Sequence, residues 1–166
     1  MKWTTRQLSF MALLTAIALA IHVAEAQIPA PVPIPGVKLG LANIVTVYAM
    51  FMLGPGPALM ILVSRILLGS LFAGQVMSLF YSLAGGLLCY AVMLLLRRVL
   101  ARKQIWVASV IGAVAHNIGQ ILVAVIVTGT PAIVSYLPIL LLSGIAAGLF
   151  TGFAAQYLIN RMDARS

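Results

Sequence analysis

The chain has 166 residues, of which 63% are hydrophobic and only 7% are charged. Soluble domains are about 45–50% apolar and about 25% charged, so this composition excludes a soluble globular protein. Lys and Arg outnumber Asp and Glu by ten to two, which gives a formal net charge of +8. In a soluble chain such an excess would indicate a nucleic-acid partner. In a chain this apolar we expect membrane lipid as the surroundings and no nucleic acid.

The small number of acids and thiols excludes several kinds of chemistry. The acids are Glu25 and Asp163, which are too few for paired-carboxylate hydrolysis or an acid-ligated metal cluster. Cys89 is the single cysteine, so an internal disulfide and a thiolate metal site are both excluded. We expect Cys89 to be a packing residue, and we expect no catalytic residue, metal or cofactor.

Six apolar segments follow one another and predict an all-α integral membrane protein, a bundle of six transmembrane helices in a single domain over residues 1–166. A spanning helix needs roughly 20 apolar residues to cross about 30 Å of hydrocarbon. The segments cover residues 8–26, 37–53, 58–73, 76–96, 105–128 and 136–159. The second and third are short, and Gly54-Pro55-Gly56-Pro57 separates them with a break that we expect neither helix to pass through.

The cations predict how the bundle is oriented. Eight of the ten lie before the first segment, between the fourth and fifth, or after the sixth: Lys2, Arg6, Arg97, Arg98, Arg102, Lys103, Arg161 and Arg165. Six spans place these three regions on one side, and positively charged short segments stay cytoplasmic. We therefore expect both termini to be cytoplasmic and the protein to cross a bacterial cytoplasmic membrane several times.

The N-terminal segment also has an alternative interpretation. Lys2 and Arg6, an apolar stretch, and Ala24-Glu25-Ala26 before Gln27 are the pattern of a cleavable signal peptide. Cleavage after Ala26 would leave five helices.

The first helix has two different faces. Small residues repeat every fourth position: Ala12, Ala16, Ala20 and Ala24. Such a stripe lets another helix approach closely within lipid. Glu25 lies opposite the middle of the stripe, and His22 about 120° away. The pattern predicts a partner on one face and a polar interior on the other, although packing between helices of the same chain explains the stripe equally well.

Two further segments have simpler patterns. Alternate prolines from Ile28 to Gly36 predict a stiff extended segment at the outer face, which is either a lid over a cavity or a plain connector. Gly144, Gly148 and Gly152 in the sixth helix predict internal helix packing.

Arg65, in the middle of the third helix, is the first candidate for a binding residue. A central arginine costs roughly 2.5–3.5 kcal/mol on insertion scales, so it marks a functional site by default. Lys38 lies at the outer end of the second helix, where its amine could snorkel. Glu25 would pair more easily with Lys38 than with Arg65, so Arg65 is left for an anionic ligand. Arg65 could instead be satisfied by helix-end carbonyls or lipid phosphate.

Amide and imidazole groups supply further candidates. His116 and Gln120 share a face of the fifth helix, Asn117 adjoins His116, and Asn43 lies in the second helix. These groups can orient a ligand by hydrogen bonds, although hydrogen bonding between helices explains them nearly as well. Metal binding at His116 lacks further ligands, and no nucleophile motif supports a protease pairing of His116 with Ser109 or Ser143.

Four stretches together resemble a known family. They are residues 33–45 (PIPGVKLGLANIV), 64–70 (SRILLGS), 82–86 (SLAGG) and 112–120 (GAVAHNIGQ). They resemble the bacterial Gx transporter family, which is also catalogued as heptaprenyl diphosphate synthase component I. That family is similar in turn to the substrate-binding S components of energy-coupling-factor transporters. The resemblance implies that Ala12, Ala16 and Ala20 dock a transmembrane coupling subunit and that the proline segment closes over substrate.

The two catalogue names imply different functions. A prenyl synthase holds diphosphate through Mg²⁺ on aspartate-rich motifs, whereas this chain has one aspartate, so it cannot be the catalytic subunit. It also lacks a glycine-rich ATP-binding loop. The first expectation is an S-component-type transporter subunit that takes up a small anionic or amphipathic solute, with a coupling subunit and ATPases as partners. Its binding residues would be Arg65, Lys38, Asn43, His116, Asn117 and Gln120.

Two alternatives remain. One is a non-catalytic membrane component of heptaprenyl diphosphate synthase, which would support menaquinone side-chain formation beside a soluble prenyl synthase subunit. The other is a structural scaffold for a redox membrane complex.

Overall fold

The computed structural model describes residues 3–25, 27–28, 40–74 and 76–164. Within these ranges there is no β-strand, and the α-helices are α1 (Thr5–Glu25), α2 (Asn43–Met52), α3 (Pro55–Ala73), α4 (Val76–Leu96), α5 (Ile105–Thr128) and α6 (Leu137–Asp163). Short 3₁₀ helices over Arg102–Gln104 and Pro131–Tyr136 lead into α5 and α6. The proline segment, Lys2, Lys38 and Arg165 lie outside the described residues.

Five of the described helices are long and apolar enough to cross a membrane, and α2 is not. With ten residues, α2 is roughly 15 Å long at 1.5 Å per residue. The expectation of an all-helical, multi-pass membrane protein is confirmed, whereas the sixth span and the side on which the termini lie stay predictions. We expected the second helix to start at residue 37 and so to include residues 40–42. It does not include them, because Gly40 has a φ of 83° and ends any helical run there.

The turn between α2 and α3 is tighter than expected. The break falls at Leu53 and Gly54, with Gly54 at a φ of 101°, and α3 begins at Pro55 instead of residue 58. Proline is favourable in the first turn of a helix, because the N–H that it lacks would have no acceptor there. Pro55 and Pro57 therefore start α3 and do not precede it.

One end of the bundle collects most of the charge. Tyr90 Oη donates to the Pro55 carbonyl at 3.0 Å, and Arg102 Nη1 pairs with Asp163 Oδ2 at 3.2 Å. These contacts bring the start of α3, the α4–α5 connection and the end of α6 together, and the start of α1 lies at the same end. We call it the basic end, because six described cations lie there: Arg6, Arg97, Arg98, Arg102, Lys103 and Arg161. Arg65 is the remaining cation in the described part of the chain.

Glycines allow α5 to pack closely against α6 and α4. A Cβ on Gly148 would lie 2.8 Å from Cα of Val110, and one on Gly152 would lie 2.8 Å from Cα of Trp106. The expected internal packing of the glycine stripe is therefore confirmed. Cys89 is buried against Gly112 on the α4 side, as expected of a packing residue. In contrast, α1 packs at the edge of the bundle, against α3 and α2.

Candidate functional site

Arg65 is buried near the middle of α3, with 3% of its surface exposed. Its Nη2 donates a 2.7 Å hydrogen bond to Oδ1 of Asn43, the first residue of α2. Its Nε has no hydrogen-bond partner within the described part of the chain. A buried donor without a partner is costly, so this N–H is available to an acceptor that a ligand could bring.

Glu25 brings negative charge to the same region. It is buried at the end of α1, and its Oε1 accepts the backbone N–H of Gly40. The expectation that Arg65 has no internal counter-ion stays a prediction. The end of α1 reaches this interior region because α1 packs along α3.

The imidazole of His116 fits between two glycines. A Cβ on Gly85 of α4 would lie 2.9 Å from both Cε1 and Nδ1 of His116, and one on Gly40 would lie 3.3 Å from its Cδ2. The same Gly40 position would be 2.9 Å from Nδ2 of Asn43. His116 and Asn43 therefore border one glycine. His116 Nδ1 has no partner among the described residues.

His22 is a further member of this region, and it is not among the binding residues that the sequence predicts. It is buried against α3, where a Cβ on Gly69 would lie 2.8 Å from its Cδ2. The signal was present in the sequence, because the buried face of α1 has helical spacing and ends in two polar residues. This face consists of Met11, Leu14, Ala18, His22 and Glu25.

The two amides of α5 have different surroundings. Asn117 Nδ2 donates to the carbonyl of Leu140 in α6. This amide therefore makes a hydrogen bond between helices, which was the alternative to ligand binding. Gln120 has 0% exposure, and neither its Oε1 nor its Nε2 has a partner within the described residues. Gln120 lies one turn from His116 on the same face.

We name this interior region the polar cluster, which consists of His22, Glu25, Asn43, Arg65, His116 and Gln120. Of the expected binding residues, Arg65, Asn43 and His116 come together, Gln120 shares the His116 face, and Asn117 turns toward α6. Lys38 lies outside the described residues. The described residues contain no group of three or more His, Cys, Asp or Glu side chains that could hold a metal ion. The cluster offers both donors and acceptors, which suits the binding of a polar or anionic group.

The small-residue stripe of α1 faces away from the bundle. Ala12, Ala16 and Ala20 are exposed, and Ala12 and Ala16 line a groove of about 400 Å³ between α1 and α3. Because these alanines are exposed, packing against the helices that the structure describes does not account for the stripe. This face is therefore open to lipid or to another helix.

An all-helical chain with membrane-length helices, one basic end and a buried polar cluster defines a multi-pass membrane protein. The family described as heptaprenyl diphosphate synthase component I matches residues 14–158. Since the match covers most of the chain, the protein belongs to this family, and the resemblance that we drew from the four stretches is confirmed under that name. No curated protein and no solved structure matches the chain. The similarity to S components stays a prediction.

Proposed function

We propose that the protein is the non-catalytic membrane component of a heptaprenyl diphosphate synthase and supports formation of the menaquinone side chain. Membership of the family supports the synthase association. A non-catalytic role is supported by the single aspartate, Asp163, which pairs with Arg102 and cannot form an aspartate-rich Mg²⁺ site. The proposed partner is a soluble prenyl synthase subunit at the basic end, facing the cytoplasm of a bacterial cell.

We further propose that the polar cluster binds the anionic part of a small ligand. The observation that carries this proposal is the buried guanidinium of Arg65, which has a neutral amide partner and an Nε–H with no described acceptor. Affinity would come from the charge of the guanidinium together with directed hydrogen bonds to the anionic group. Asn43, His116 and Gln120 would share these bonds, and Asn117 and Lys38 are further proposed contacts.

The partner is tested by purifying the tagged, full-length protein from its native membranes. We expect a soluble prenyl synthase subunit to copurify with it in near-equal amounts. Arg102→Gln together with Lys103→Gln, at the basic end, should weaken this association. The control is Ser64→Ala, which should leave the association unchanged, because Ser64 lies in the groove beside α1. Recovery of a coupling subunit and ATPases without a synthase subunit would overturn the proposal.

The second candidate function is uptake of a small anionic solute as an S-component-type subunit. It is supported by the exposed face of Ala12, Ala16 and Ala20 beside the groove. In this case Ala16→Trp should abolish association with a transmembrane coupling subunit, because small residues permit close helix approach. The control is Leu122→Trp, because Leu122 is exposed on α5. Ala115→Trp is unsuitable, because Ala115 is buried. A stable complex with Ala16→Trp would reject this candidate.

A further inference from the structure

A second cavity lies at the basic end, away from the polar cluster. It has a volume of about 1020 Å³ and lies between the first turns of α1, the α2–α3 turn and the end of α6. Its apolar wall is formed by Trp3, Phe10, Leu13, Leu53, Pro57 and Met162. Ligand pockets are typically about 300–1,000 Å³, so the cavity has room for a sizeable molecule. His22 lies sixteen residues beyond Arg6 on α1, roughly 24 Å away, so the two sites are separate.

Positive charge predominates around this cavity. Arg6 lines it, and the other cations of the basic end lie at the same end of the bundle. Of the acids, Glu25 lies at the opposite end of α1 and Asp163 is paired with Arg102. The cavity therefore favours an anionic group on a ligand, and Arg6 can hold a phosphate through two parallel hydrogen bonds.

The apolar wall runs along α1 and reaches the exposed side of this helix. From Trp3 to Leu13 the wall extends roughly 15 Å along the axis of α1. Phe10 and Leu13 are both partly exposed on the outer surface of α1. A ligand in this cavity can thus contact the basic end with its charged group while its apolar part reaches the hydrocarbon region.

We infer that this cavity binds a long-chain prenyl diphosphate, with the diphosphate on Arg6 and the chain along α1 toward lipid. The choice of this amphipath over others rests on the proposed function, since a soluble synthase subunit must transfer its apolar product into the membrane. A cavity that joins the basic end to the lipid-facing side of α1 supplies such a path. The reaction that would provide the ligand is a chain elongation, in which an allylic prenyl diphosphate loses inorganic diphosphate, forms a C–C bond to a homoallylic C5 diphosphate and releases a proton.

The inference is tested on the purified full-length protein in phosphatidylcholine nanodiscs, with a radiolabelled C35 prenyl diphosphate as the probe. Saturable binding is expected. Arg6→Gln should weaken it about tenfold, or about 1.4 kcal/mol, because the charged hydrogen bonds to the diphosphate are lost. Ser9→Trp should weaken binding at least as much, because Ser9 lines the cavity and the indole ring would occupy it. The matched controls are Arg98→Gln, another exposed cation, and Thr5→Trp, an exposed position that does not line the cavity.

The competitors distinguish the sources of the anionic group. The C35 alcohol and inorganic diphosphate should each compete poorly, because each carries half of the recognised chemistry. Equal competition by phosphatidylglycerol would overturn the inference in favour of a general anionic-lipid site. Wild-type affinity in Arg6→Gln or in Ser9→Trp would also overturn it. Thermal unfolding in detergent confirms that each variant is folded.

Binding and partner association are separate measurements, so the two proposals can fail separately. Absence of probe binding while a synthase subunit still copurifies removes this cavity and leaves the proposed function. Probe binding that requires Arg6, without a copurifying synthase subunit, keeps the cavity and removes the proposed partner.

Discussion

Arg65 in the polar cluster and Arg102 at the basic end are both arginines with an oxygen acceptor, but their surroundings are opposite. Arg102 and Asp163 have side chains 71% and 42% exposed, and such pairs contribute little to stability. Arg65 is 3% exposed and binds a neutral amide, while its Nε lacks a described partner. The difference teaches that the net charge of +8 includes cations in opposite surroundings, of which the buried Arg65 is the one that we propose for the ligand of the polar cluster.

The largest effect in this comparison is expected from Gly85→Ala, which alters the wall of the polar cluster. The new Cβ would lie 2.8 Å from the His116 carbonyl and 2.9 Å from its ring, so α4 and α5 would have to separate. Overpacking of this kind costs about 1–3 kcal/mol of the free energy of unfolding. Thermal unfolding in detergent measures it. Leu87→Ala, on the exposed side of α4, is the control, and equal stability of Gly85→Ala and the wild type would contradict the described packing.

Asn43→Asp tests the electrostatic part of the comparison. It replaces the neutral acceptor of Arg65 Nη2 with a carboxylate of the same shape, which competes with an anionic ligand for the guanidinium. We expect affinity for the anionic ligand to fall about tenfold, or about 1.4 kcal/mol. Ligand retained through purification, measured by mass spectrometry, reports it. Tighter retention would mean that the ligand is not anionic.

Thr151→Val removes an interior hydrogen bond that lies outside the polar cluster. Thr151 Oγ1 and Ser109 Oγ are 3.0 Å apart between α5 and α6. Removing one partner should cost about 1 kcal/mol of stability and leave ligand retention unchanged. Loss of ligand in this variant would show that the binding region extends beyond the polar cluster.

The smallest effect is expected at the basic end. Arg102→Ala removes the exposed pair with Asp163, and the free energy of unfolding should change by about 0.2–1 kcal/mol at low salt. Unfolding at low and high salt measures this, and the difference between variant and wild type should shrink at high salt. A larger loss of stability that does not depend on salt would mean that the Arg102–Asp163 pair is shielded from solvent, as Arg65 is, and would contradict the comparison.

The sequence predicted the helices where an apolar run ends at a clear signal. The bounds 76–96 and 105–128 agree with α4 and α5, because the basic connection and Gly129 end these runs. The start of α2 was missed, since the left-handed Gly40 lies inside an apolar run. The start of α3 differs from the predicted one because Pro55 and Pro57 lie in its first turn, whereas the sequence pattern predicts a break between two helices there.

The sequence also predicted part of the polar cluster, because some of its residues can be recognised within a single segment. A central arginine is visible in a single segment, so Arg65 could be identified without knowing how the helices pack. The contributions of Glu25 and His22 depend on the packing of α1 along α3, which no single segment contains. The different surroundings of Asn117 and Gln120 depend on the rotation of α5 between α4 and α6, which hydrophobic spacing does not fix.

The most direct test of the central claim is native mass spectrometry of the wild-type protein and of Arg65→Ala and Arg102→Ala, each purified in the same detergent. The wild type and Arg102→Ala should carry the same small anionic ligand, and Arg65→Ala should carry none while its helical bundle stays folded. Unchanged ligand in Arg65→Ala, or loss of ligand in Arg102→Ala alone, would contradict the assignment of the binding site to the polar cluster.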